Sequence, residues 1–148
     1  MKCCAFAVCL LLVLAPRADA QQPSGDAVDT CALATTAELQ AIVNQPVRGP
    51  LPGGPGICAW QIGGMNAISI QYNATGQAGF DNAKSRTTNT VALSGIGDAA
   101  FAFVSAAGFV QVDVVKHNRF VVVIDQGGGA ATRLAAAKAI AAKVASRL

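Results

Sequence analysis

Apolar positions in this chain first recur with a helical period, then alternate, then return to a helical period. Leu39, Ile42 and Val43 lie on one helical face directly after Thr35-Thr36-Ala37-Glu38. That Thr-x-x-Glu spacing is a capping box, in which hydroxyl and carboxylate each satisfy a free backbone N–H. It predicts a short helix over about Thr36 to Asn44, stopped near Pro46. Residues Pro46 to Gly56 then place four prolines and four glycines in eleven positions. Such a stretch excludes a helix or an inner strand and reads as a long irregular loop.

Alternation begins at Ile57. Cys58, Trp60 and Ile62 share one face, and Ile68, Ile70 and Tyr72 share another across Gly63-Gly64, which predicts a β-hairpin. Ala78 to Arg86 reads as a short helix around Phe80 and Ala83, and Thr87 to Thr90 as polar linker. Strands follow over Ala99–Val104, Phe109–Lys116 and Arg119–Asp125. Val110, Val112 and Val114 point inward there, with Gln111 and Asp113 toward water. The third strand is apolar on both faces and belongs centrally. His117-Asn118 makes its entry turn, and Gly127-Gly128-Gly129 ends the sheet. Ala130 to Leu148 is a helix with Leu134, Ala137, Ile140, Ala141, Val144 and Leu148 along its apolar stripe. The expected fold is α+β: a two-layer sandwich. A roughly five-stranded antiparallel sheet carries the N- and C-terminal helices on one face.

The first twenty residues have a different pattern. Lys2, the apolar run Ala5 to Leu14, and Ala18-Asp19-Ala20 form the n-region, h-region and A-x-A exit of an export signal. The run is too short for a bilayer span of about 20 residues, and Pro16-Arg17 end it. The expected mature chain is a single domain over residues 21–148, periplasmic or secreted, with no stable membrane insertion. The whole chain is 53% hydrophobic and 13% charged, with a net charge of +3. That charge falls to +2 once Lys2, Arg17 and Asp19 leave, and the basic residues are scattered. Neither fact suits nucleic acid.

Export changes the meaning of the cysteines. Cys31 and Cys58 remain after cleavage, and an oxidising compartment joins them. The bond would staple the helix entrance to the first strand, a stabilisation of roughly 3–4 kcal/mol on the chain-entropy model. His117 is the only histidine, so two cysteines and one histidine are one ligand short of a closed zinc site. No metal or cofactor is expected. The Gly-rich turn before the last helix has Thr132 where a dinucleotide fingerprint needs glycine. No catalytic residue set is expected. Asp98 and Asp125 are the carboxylates with a chance of meeting at one end of the sheet. Gly95-Ile96-Gly97-Asp98 reads as a tight turn whose Asp bonds nearby backbone.

Three features in order are Cys31-Ala-Leu-Ala-Thr-Thr, Cys58-Ala-Trp60 and Ser94-Gly-Ile-Gly-Asp-Ala-Ala100. In these the chain resembles a family of small exported domains of unknown function, often lipoproteins, found in actinobacteria. It departs from them in lacking a lipid-attachment cysteine. The resemblance implies the disulfide and the fold, and it transfers no catalytic residues. The function expected is binding, of a protein or small molecule, through Arg48 and Leu51 on the Pro/Gly loop, with Trp60 nearby and Asp98 as a further contact. The alternatives are a small secreted hydrolase using Asp98 or Asp125 as base, an inhibitor of an envelope enzyme, or an envelope structural protein.

Overall fold

A computed structural model describes residues 28–127 and 129–148. The expected export signal and Gly128 lie outside the described residues. The elements are a 3-10 turn (Thr30–Ala32), α1 (Thr36–Val43), β1 (Val47–Gly54), β2 (Ile57–Ile62), β3 (Asn66–Asn73), α2 (Gly76–Arg86), β4 (Val91–Leu93), β5 (Ala99–Val104), β6 (Val110–Lys116), β7 (Arg119–Asp125) and α3 (Ala130–Ala145). The seven strands of the described residues pair antiparallel, in the order β1-β2-β3-β7-β6-β5-β4. The α+β class stands, with seven strands rather than five. Among the described residues no helix is long and apolar enough to cross a membrane.

The two additional strands are the edges. β1 occupies the stretch expected to be an irregular loop. It pairs with β2 from Val47↔Ile62 to Gly54↔Ile57, with register breaks after Arg48 and Pro52. An outermost strand needs its N–H groups on one side only, so it tolerates the prolines that exclude an inner strand. β4 is three residues long, too short to show alternation.

α1 forms as its capping box dictates. Thr35 Oγ1 accepts from the Glu38 N–H (3.3 Å), and Glu38 Oε2 accepts from the Thr35 N–H (3.0 Å). Asn44 ends the helix in the left-handed region (φ 52°). α1 and α3 pack on one sheet face over Trp60, Ile68, Ile70, Val112, Val114 and Val123, with Leu39 and Ile140 between. The disulfide joins Cys31 to Cys58 with Cα atoms 5.1 Å apart, across 27 positions of sequence.

α2 lies on the opposite face. Phe80 packs against Phe101 (ring centroids 5.3 Å apart) and Phe120 (5.9 Å), with Val115 beside them. The fold therefore gains a third layer at one end of the sheet. This overturns the expected environment of Asp113, which is 1% exposed rather than turned to water. It stands opposite Phe101 and Val122 in the ladder, on the face that α2 and the aromatic residues enclose. Gln111 Nε2 donates to its Oδ1 (2.6 Å), and its Oδ2 is buried without a partner. Burial raises this carboxyl to about 6, against the pull of the Gln111 bond.

Candidate functional site

Arg48, Leu51, Trp60 and Asp98 do not converge. Arg48 and Leu51 (54% exposed) lie on β1, at one edge of the sheet. Trp60 is fully enclosed in the core and offers no surface to a partner. Asp98 precedes β5, across the width of the sheet from β1. Its Oδ2 accepts from the His117 N–H (2.7 Å) and its own N–H donates to the Val115 carbonyl (2.8 Å). It thus pins the β6–β7 turn, where His117 and Asn118 both adopt positive φ (49° and 59°). Gly97 (φ 62°) lets the chain pass close over Val115, which a Cβ would obstruct. Asp98 belongs to a structural turn. It cannot meet Asp125, which pairs with Val110 at the far end of the same ladder.

The described residues do form a cavity, at the Asp125 end. It has a volume of about 280 Å³. Ile42, Val43 and Gln45 close it from the end of α1, and Ile62 from the end of β2. α3 supplies Thr132, Arg133, Ala135, Ala136 and Ala139. Asp125 and Gly127, at the end of β7, supply the remaining wall. A second recess, of about 320 Å³, lies beside Arg48, between Pro46, Gln61, Gly63 and Gly64.

Two charged side chains give the α1–α3 cavity its chemistry. Asp125 is 1% exposed. Its Oδ1 accepts from the Gly127 N–H (2.8 Å), which folds the chain back over the carboxylate. A Cβ at Gly127 would stand 3.2 Å from Ile62 Cδ1 and 3.4 Å from that oxygen, so glycine suits the close passage. Burial raises the Asp125 carboxyl, while the Gly127 N–H and the Arg133 charge pull it down. Arg133 donates through Nη1 to the Gly108 carbonyl, and its buried Nε has no partner. Carboxylate and guanidinium line one cavity without forming an ion pair; among the described residues the ion pairs are those of Glu38 with Lys143 and Arg147.

At the other end of the same helices the charges meet. Arg147 holds Glu38 through two bonds (2.7 and 2.9 Å), and Lys143 approaches it at 3.3 Å. Arg147 Nη1 also donates to the Leu33 carbonyl (2.8 Å). Arg147 and the Thr35 backbone hold the Glu38 carboxyl down at about 2.

Sequence reasoning named Asp125 only as one of two carboxylates, and missed Arg133 and the cavity. The available signal was a charge ending the apolar run Val121-Val122-Val123-Ile124, with a glycine two positions on. Among the described residues no group of three or more His, Cys, Asp or Glu could hold a metal ion. Comparison with family models, curated proteins and solved structures gives no match to this chain.

Proposed function

We propose that this is an exported binding domain, periplasmic or secreted, whose small ligand enters the cavity between the end of α1 and the start of α3. The observation that carries the reading is a nearly fully buried carboxylate, Asp125, in the wall of an otherwise mostly apolar cavity. Buried ionisable groups are costly to keep in a fold, and binding sites are where they concentrate. A few polar groups in an apolar enclosure are what small-molecule sites provide. The disulfide supports export, since such bonds persist in oxidising compartments. It also ties the sheet to the turn that leads into α1, the helix that forms one cavity wall.

An NMR screen of ¹⁵N-labelled protein with small amines, carboxylates and neutral aliphatic fragments tests this. Fragments should shift the amides of Val43, Ile62 and Gly127, and Ala139→Phe should abolish those shifts by filling the cavity. Shifts confined to Arg48 and Leu51 would return binding to the β1 edge and overturn the cavity. A second reading draws on the same raised carboxyl, which a small hydrolase would use as general base. Turnover of nitrophenyl esters that is lost in Asp125→Asn would favour it.

A further inference from the structure

We infer that the cavity takes a small zwitterion of the α-amino-acid class, its ammonium on Asp125, its carboxylate on Arg133 and an aliphatic side chain against Ile42, Val43 and Ile62. The inference rests on reading the cavity as a ligand site and adds the chemistry of the ligand. Its basis is the separation of two opposite charges. Asp125 and Arg133 line one enclosure, yet each is tied to backbone rather than to the other. Asp125 uses one oxygen on the Gly127 N–H, and a carboxylate has further acceptor sites. Arg133 keeps a buried Nε–H with no partner. Both therefore have unmade bonds that a bridging ligand supplies.

A ligand with one charge fits less well. A simple amine would satisfy Asp125 and leave the guanidinium donor unmade. A simple carboxylate would do the reverse and bring its charge toward a buried anion, and phosphate would add to that repulsion. A zwitterion answers both charges and adds no net charge beside the buried Asp125. Arg133 also lies in the first turn of α3, where the helix dipole favours an anion. The volume, about 280 Å³, is at the small end for ligand cavities and suits an amino acid rather than a peptide or a nucleotide. The aliphatic walls favour a branched, uncharged side chain over a polar one.

Calorimetric titration with L-valine, isobutylamine and isobutyrate tests the inference, since the last two each lack one of the charges. L-Valine should bind the wild-type protein at least about tenfold more tightly than either analogue. Asp125→Asn should lose that margin for L-valine while leaving isobutyrate affinity unchanged or improved. Ala139→Phe should lose all three, and thermal melts would show that both variants fold. Equal affinity for valine and one analogue, or valine binding indifferent to Asp125→Asn, would overturn the zwitterion. Absence of valine binding while neutral fragments still shift the cavity amides would also overturn it and leave the cavity standing. Absence of every fragment from the cavity would instead remove the reading beneath it.

Discussion

The α1–α3 pair treats charge in opposite ways at its two ends. At the closed end, Lys143 in the last turn of α3 and Arg147 just beyond it converge on Glu38 of α1. The disulfide ties Cys31, two residues before the Leu33 carbonyl that Arg147 also holds, to Cys58 of β2. At the open end, Asp125 and Arg133 are of the same chemical types but stay apart. The Gly127 N–H holds one and the Gly108 carbonyl the other. Facing helices close where their side chains can reach each other. They leave a cavity where backbone groups take the charges first.

Five variants sharpen this contrast. Replacing both Cys31 and Cys58 with serine should have the largest effect, a loss of about 3–4 kcal/mol in denaturant unfolding. A loss well below 1 kcal/mol would mean that the closed end does not depend on its crosslink. Asp113→Asn removes a buried carboxylate that has no cavity, and so serves as a control for Asp125. The folded carboxyl, at about 6, lies above its unfolded value of 3.8. Its contribution is fully present below 3.8 and lost as pH rises through 6. The variant should therefore gain up to about 3 kcal/mol at pH 8 and nothing at pH 3.5. Equal stability of the two proteins at both pH values would refute that environment.

Thr35→Ala breaks the capping box and should cost about 1 kcal/mol by thermal melting. Glu38 has the opposite sign to Asp113. Its folded carboxyl is lowered to about 2, below the ordinary 4.5. Its contribution is present above 4.5 and is lost as pH falls through 2. Glu38→Gln should thus narrow its gap from wild type between pH 4.5 and pH 2, and a constant gap would contradict the ion pairs. Asp125→Asn should have the smallest effect on melting, with no loss at pH 7, because burial disfavours the native charge. A marked drop in melting temperature would make Asp125 a structural residue.

The elements were largely legible in the sequence, while the charges that close one end and the cavity at the other were not. The Thr35–Glu38 cap, the β2–β3 hairpin and the β7 boundaries follow from local spacing, and the structure places them as expected. The α3 stripe also holds, with Ala137, Ile140, Ala141 and Val144 fully buried. β1 escaped notice because Pro50 and Pro52 are read as strand breakers until the strand is known to be an edge. Asp113 misled because alternation assigns a residue to a face without saying what covers that face. Here the cover is α2, through Phe80. A cavity leaves no periodic trace. It is space between α1 and α3, and Asp125 and Ile42 become neighbours only after the sheet brings them together.

A crystal structure of the protein soaked in L-valine measures the open end directly. Electron density should span from the Asp125 carboxylate to the Arg133 guanidinium, with the isopropyl group toward Ile62. A direct Asp125–Arg133 ion pair closing an empty cavity would contradict the separation of charge on which the ligand site depends.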